Sequence, residues 1–546
     1  MMTRIAAVLI VLAGVALDAQ TQSVRQLLTV PERTAYKETS RYEDVMAFLK
    51  AVDAASPRIH LTTFGYTTEG RALPLAIVGD VPNATPEAVK ASGKLRVYIQ
   101  GNIHGGEVEG KESAQKLLRA IASGQHADWM KTMVLLVAPI YNADGNERIA
   151  LTNRGVQNGP IGGMGQRPNA QDFDLNRDHM KLESPEARSL TAMFNAYDPH
   201  VGIDLHTTNG TRHAYHLTYS PPLNPNTDAG IVGLLRGEWL PYVTKQVKAK
   251  HGWEYFYYGN AQGAGGRGRG GAAGAQGARG WYTFEHVPRF NNNYIGLRNR
   301  FALLSEAYAY LTFEDRIKAT DYFLEEALGF ASANTDRIKK AVAAADAASI
   351  VGKTQSVRSR HHKGGELTIL MGDVDELRHP YTGQLMLLRK DVVKPEQMTD
   401  YSTFESSMDE IAPAEYYIPA DLLSNATQNA RLLGSLADKL TAHGIRFTTL
   451  TAPKTVRAER FAITSNTQAE REFQKHRIRS LDGAWGEAAD ITLPAGSIAV
   501  PVNQPLGKVV FYLLEPRSDD GWTAWNVLDQ LLGADAKVYP IVRVRS

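Results

Sequence analysis

Four groups of side chains in this chain have the types and spacing for hydrolytic chemistry on a metal. The first is His104-Gly-Gly-Glu107. An imidazole and a carboxylate three residues apart in a tight turn can face one cation, and a catalytic zinc takes three nitrogen or oxygen ligands with a fourth position left for water. Alone the pattern is weak: with 15 His and 58 acidic residues, about one such spacing arises by chance in a chain of this length. A third ligand is therefore required, and Asp204-Leu-His206 offers one, with Asp204 placed to act as an outer hydrogen-bond partner. His213 and His216 are rival ligands that read better as rim or packing residues. Asp174-Leu-Asn-Arg-Asp178 sets Asn176 beside Arg177, an amide donor next to a two-pronged guanidinium, a pair suited to gripping a carboxylate. Arg167, nine residues before Asn176, is a second cation able to steady an oxyanion, with Arg154 as its competitor. Finally, Glu306 in Leu304-Ser-Glu-Ala-Tyr308 is a charge inside an apolar strand, costly unless paired or functional. Beside a metal-activated water such a carboxylate serves as general base and then as general acid. Glu314 is its rival, but next to Asp315 and Arg316 it reads as a helix start.

These residues need strands and turns to bring them together. From Tyr42 to about Ser332 apolar strands alternate with amphipathic helices, which argues for an α/β fold with a mixed central sheet flanked by helices. Strands are expected at Leu95–Gln100, Met133–Ile140, His200–Leu205 and Arg300–Glu306, with a helix over Val108–Ala122. Ser184-Pro185 has the cap-then-proline signature of a helix start. His104, His206 and Glu306 all fall at strand ends, where open α/β sheets place their sites. Residues 259–280 are a low-complexity insertion of Gly, Ala, Gln and Arg whose Arg267, Arg269 and Arg279 are candidate contacts for an anionic substrate. Residues 315–349 read as helical and alanine-rich. Beyond them the chain is expected to form a C-terminal α+β or β-rich accessory domain, with strands at 366–371, 384–389, 498–502 and 509–514 and a helix at 425–443.

In chain order these groups resemble the zinc carboxypeptidase family, the funnelin peptidases. Gly65-Tyr-Thr-Thr-Glu-Gly-Arg71 is similar to the family's early G-x-S-x-E-G-R stretch, and Asn142-Ala-Asp-Gly145 to its N-P-D-G turn. Asn176-Arg177, His206 and Glu306 complete the set, which spans roughly residues 40 to 315. The resemblance implies one zinc ion held by His104, Glu107 and His206, with Glu306 as general base and acid. It further implies Asn176 and Arg177 on the substrate's terminal carboxylate, and Arg167 on the scissile carbonyl. A tyrosine at the substrate's end of the site is also implied, with Tyr294 as candidate and Tyr282 as rival. A zinc-dependent carboxypeptidase acting on peptides is the expectation. A zinc deacylase or amidase on the same scaffold, acting on N-acyl amino acids or on cell-wall peptides, is the alternative, since Asp204-Leu-His-Thr-Thr208 is similar to the aspartoacylase and succinylglutamate desuccinylase branch.

Composition sets the limits. At 546 residues two domains are the default, divided as a catalytic part over 20–350 and an accessory part over 351–546. A net charge of +2 gives no reason to expect nucleic acid as a partner. No cysteine is present, which excludes thiolate ligands and disulfides. Arg4 and the apolar run Ile5–Leu17 read as a signal peptide over residues 1–19, so a secreted or periplasmic protein with no membrane span in its mature form is expected. Oligomeric state is left open by the sequence.

Overall fold

The computed structural model describes residues 24–208, 210–262, 279–423 and 425–545. The expected signal segment, Arg267 and Arg269 lie outside them. At the centre is an eight-stranded mixed sheet built from β1 (Ile59–Tyr66), β2 (Ala72–Val78), β3 (Leu95–Gly101), β4 (Met133–Ala138), β5 (Val201–Thr207), β6 (Leu217–Ser220), β7 (Tyr255–Tyr257) and β10 (Phe301–Ala307), in the order β1-β2-β4-β3-β5-β10-β6-β7. Strands β4, β3, β5 and β10 run parallel, while β1, β2 and β6 join antiparallel. The parallel strands are near-continuous apolar runs because both faces are covered. On β3, β4 and β5, Val97, Ile99, Leu135, Val137, Ile203 and Leu205 pack beneath helices that include Tyr42–Ala55, Glu109–Ala122 and Phe313–Ala333. The alternate residues Tyr98, Val134 and Leu136 face Leu190 and Phe194 of the helix Pro185–Tyr197 on the other side. That helix is capped by Ser184, whose hydroxyl accepts from the Ala187 N–H, with Pro185 at its first position.

The C-terminal part is β-rich and engages the rest by backbone pairing. The short strands β8 (Asn260–Gln262) and β9 (Gly280–Tyr282) join Lys394–Tyr401 and Glu366–Met371 in one four-stranded sheet, so hydrogen bonding crosses position 350/351. Further on, Glu415–Ile418 and Ile498–Pro501 centre a second four-stranded sheet, next to the helix Ala426–His443. One expectation fails here. The run Val509–Leu514 is not a strand but the core of a helix, Gly507–Leu514. Six consecutive apolar residues buried on all sides lack a period that separates strand from helix. Among the described residues, no helix is long and apolar enough to cross a membrane.

This C-terminal core carries two acids with a pH consequence. Glu515 takes hydrogen bonds from the Tyr416 hydroxyl (2.6 Å) and Arg543 Nη1 (3.3 Å). Asp520 takes them from Trp525 Nε1 (2.9 Å) and the Arg289 N–H (2.5 Å). Burial nevertheless pushes each carboxyl up to about 7. An acid whose folded pKa exceeds its unfolded value stabilises the fold fully below the unfolded pKa, and that contribution is lost as pH rises through 7. The loss amounts to about 3 kcal/mol for each group. Melting temperature should therefore fall between pH 5 and pH 8, and Glu515→Gln should fall less steeply; an equal slope in parent and variant refutes the assignment.

Candidate active site

The site lies at the carboxyl ends of three neighbouring parallel strands. His104 follows β3, His206 is the penultimate residue of β5, and Glu306 is the penultimate residue of β10, directly in register with His206. The turn after β3 is held open by its own backbone needs. Asn102 adopts a left-handed φ of 65°, and its side-chain amide donates to the carbonyls of Gly105 (3.1 Å), His104 and Glu107 (both 3.3 Å). A Cβ on Gly105 would stand 2.3 Å from the Gly145 carbonyl carbon, and one on Gly106 2.4 Å from the Gly165 oxygen, so both positions require glycine. The early Gly65–Arg71 stretch and the Asn142 turn support each other. Thr67 Oγ1 and Arg71 Nη1 each donate to Asp144 Oδ1 at 2.7 Å, while Asn142 Nδ2 donates to the carbonyls of Ile103 and Arg167.

His104, Glu107 and His206 each offer a donor atom, and the three lie within 4.8 Å of one another in a buried cluster. His104 Nδ1 is 3.0 Å from Glu107 Oε1, and His206 Nδ1 is 2.9 Å from Glu107 Oε2. The far nitrogens face carboxylates: His104 Nε2 lies 3.0 Å from Asp174 Oδ1, and His206 Nε2 lies 2.9 Å from Asp204 Oδ2. A carboxylate on Nε2 fixes the tautomer that leaves the Nδ1 lone pair free for a cation. The electrostatics agree. Burial opposes charge on His206, but Asp204 and Glu107 outweigh it and hold its pKa well above the usual range. Burial likewise raises Glu107, yet His104 and Arg154 keep it well below the ordinary carboxylate range. The pocket thus favours one added positive charge, and its two-imidazole, one-carboxylate donor set fits zinc with a coordination position to spare.

Glu306 is pushed up to about 8, first by burial and then by Glu107, against the pull of His206, Arg167 and Arg154. Its Oε2 is buried and has no hydrogen-bond partner among the described residues. Arg167 donates through Nε (2.9 Å) and Nη2 (2.7 Å) to Asp174 Oδ2, and its Nη1 sits 3.4 Å from His104 Nδ1. Its side chain keeps 38% exposure, whereas that of Arg154, bound to Glu107 Oε1 at 2.8 Å, keeps 8%; Arg167 is the one open to a ligand. The Arg177 guanidinium lies 3.8 Å over the Phe290 ring, and Asn176 Oδ1 accepts from the Asn291 N–H (2.8 Å).

Other expected residues are placed elsewhere. Tyr294 is a correction: it is buried, with its hydroxyl 2.7 Å from His443 Nδ1, and does not reach the cluster. Tyr282 stacks on Tyr401 at 4.2 Å. Among the described residues, Tyr258, just after β7, lies within electrostatic reach of the site: its phenol is raised by burial and by Glu306 while Arg167 lowers it. It stands immediately before the glycine-rich stretch, with no motif in the sequence to mark it. Asp174 was also missed as a partner of His104, although the acid before Asn176 parallels the acid before His206. His213 packs its ring 4.2 Å from Tyr308, His216 stacks 4.5 Å from Trp253, and Glu314 pairs with Lys318 in the first turn of its helix. Arg279 pairs with Glu396.

Known proteins resemble this chain over the residues that carry the three clustered donors. The sequence model of the zinc carboxypeptidase family matches residues 45–229, which include the three clustered donors but stop short of Glu306. "Carboxypeptidase 2" of Trichophyton tonsurans is 25% identical over 480 residues, covering 83% of this chain and 77% of that protein. "Probable carboxypeptidase 2" of Arthroderma benhamiae is 31% identical over 192 residues, 33% of each. Among solved structures, a metallo-carboxypeptidase from Burkholderia cenocepacia aligns with TM-score 0.40 at 18% identity, over 55% of this chain and 71% of that one. Residues 45–229 thus match the zinc carboxypeptidase family, metallopeptidase hydrolases that use one zinc ion, and the chain is similar over most of its length to curated carboxypeptidases.

Proposed function

We propose that the chain removes C-terminal residues from peptides, with His104, Glu107 and His206 holding the zinc and Glu306 moving the proton. A zinc ion held there supplies Lewis acidity, polarising the scissile carbonyl and lowering the pKa of water to about 7. Glu306 takes the proton of the attacking water on its unpartnered Oε2 and returns it to the leaving amine. Arg167, the more open of the two neighbouring guanidiniums, donates to the carbonyl oxygen as negative charge develops. Arg177 and the Nδ2 end of Asn176 grip the terminal carboxylate; Asn176 Oδ1 is already engaged by Asn291, which orients the amide.

The observation that carries this reading is the register of Glu306 with His206 on adjacent parallel strands, which puts a carboxylate whose Oε2 is unpartnered among the described residues beside the metal donors. The test offers the purified protein peptides with free C termini, the same peptides amidated, N-acyl amino acids and muropeptides. Mass spectrometry should show single residues released from the free peptides only, in proportion to bound zinc. Equal cleavage of amidated peptides, or turnover confined to N-acyl amino acids, would move the assignment to the amidase alternative.

A further inference from the structure

The chain beyond residue 350 reaches the carboxylate-holding loops from two directions. The first contact is the tip of the hairpin Phe461–Gln468/Arg479–Trp485. Phe473 and His476 exchange backbone hydrogen bonds (2.8 and 3.0 Å), leaving Gln474 and Lys475 as the two turn residues, with φ of 51° and 65°. Two-residue turns of this kind favour Asn-Gly, because a Cβ is strained at positive φ. Gln and Lys stand there instead, and both side chains are spent on the catalytic part. Gln474 Oε1 accepts from the Asp174 N–H (2.9 Å). Lys475 Nζ donates to the Gln171 carbonyl (2.6 Å) and lies 4.7 Å over the Phe173 ring. His476 Nε2 adds a contact to Glu183 Oε1 at 2.9 Å.

The second contact is Asp519-Asp520. Asp520 accepts from the Arg289 N–H (2.5 Å) and pairs with Arg289 Nε (2.7 Å), while Asp519 faces His286 Nε2 at 3.0 Å. The next two residues after Arg289 are Phe290, whose ring lies under Arg177, and Asn291, whose N–H orients Asn176. Both loops that shape the Asn176–Arg177 pair are therefore tied to the C-terminal part.

We propose that this C-terminal region is a positioning device for the substrate's carboxylate anchor, with Gln474 fixing the Asp174–Arg177 loop and Asp519-Asp520 fixing the loop behind it. The proposal rests on the carboxylate role given above to Asn176 and Arg177. Surface loops are mobile unless tied, and an anchor ordered in advance loses less freedom when its ligand binds.

The test uses the full-length zinc-loaded protein and two variants. Gln474→Ala removes the acceptor for the Asp174 N–H, and Gln474→Glu keeps one. Calorimetry measures affinity for N-acetyl-phenylalanine, N-acetyl-lysine and N-acetyl-glutamate, each as free acid and as C-terminal amide. The parent should prefer the acids. Gln474→Ala should weaken acid binding by about tenfold with the amides, zinc content and melting temperature unchanged, and Gln474→Glu should recover most of the loss. In turnover, KM for a free-carboxylate peptide should rise with kcat nearly constant. A parent that binds acids no better than amides removes the carboxylate reading and this proposal together. A parent that discriminates, joined to a Gln474→Ala variant that discriminates equally or weakens acids and amides alike, overturns the positioning role and leaves the carboxylate reading standing.

Discussion

Glu306→Gln is expected to retain one zinc per chain and to lower kcat on peptide substrates by roughly 10³–10⁴-fold, the upper range for loss of a positioned general acid–base. The substitution is nearly isosteric and touches none of the three clustered donors, so the His206 and His104 contacts to Asp204, Asp174 and Glu107 persist. It replaces a half-buried carboxylate whose Oε2 is unpartnered among the described residues by a neutral amide, which should leave melting temperature unchanged or higher. That separates a chemical role from a structural one. The pH profile gives a second readout. A general base must be ionised, so activity falls as pH drops below its pKa. Burial pushes Glu306 up to about 8, and a divalent cation held by the three donors would pull it down, so the acidic limb of kcat/KM should lie below pH 8. That limb should vanish in the variant. A variant keeping more than about a tenth of parental kcat is incompatible with the role.

The contrast between what sequence exposed and what it hid has physical causes. His104 and Glu107 stood out by their three-residue spacing in a turn after a strand, and His206 and Glu306 as an imidazole and a carboxylate at the ends of apolar strands. The sheet then sets three of those ends side by side on β3, β5 and β10. The supporting motifs were visible as strings, but their work was not. Only the fold shows Arg71 and Thr67 converging on Asp144, and Asp144's turn bracing the one that carries His104. Tyr258 is hidden in the sequence because the low-complexity stretch lies between it and the Glu306 strand, whereas Tyr282 and Tyr294 lie on the Glu306 side of that stretch. Val509–Leu514 was misread because a short apolar run carries no period. The hairpin tip at Gln474–Lys475 was unreadable for another reason: its residues suit contacts some 300 positions away better than the turn they occupy.

His206→Ala is expected to abolish stoichiometric zinc, and peptidase activity with it. The remaining donors, His104 and Glu107, would have to hold the cation from one turn alone. Two ligands with no third across the pocket lose both a bond and the geometry that a tetrahedral ion requires. The truncation also leaves Asp204 without the imidazole that faces it at 2.9 Å, adding uncompensated negative charge to a buried site. Asp204→Asn is the informative neighbour. It keeps all three donors but removes the charge that faces His206 Nε2 at 2.9 Å, so zinc should bind, only weaker by roughly 10–100-fold, the usual cost of altering the outer partner of a metal-binding histidine. Thermal shift reads the same difference without activity. A ligand that binds only the folded state stabilises it by about 2.7 kcal/mol at a hundredfold excess over Kd. The melting temperature of the parent should therefore rise with added zinc and fall with a chelator, that of Asp204→Asn should respond at higher zinc, and that of His206→Ala should not respond. Purification of His206→Ala with a full equivalent of zinc would remove β5 from the metal site and leave the Glu306 register without its meaning.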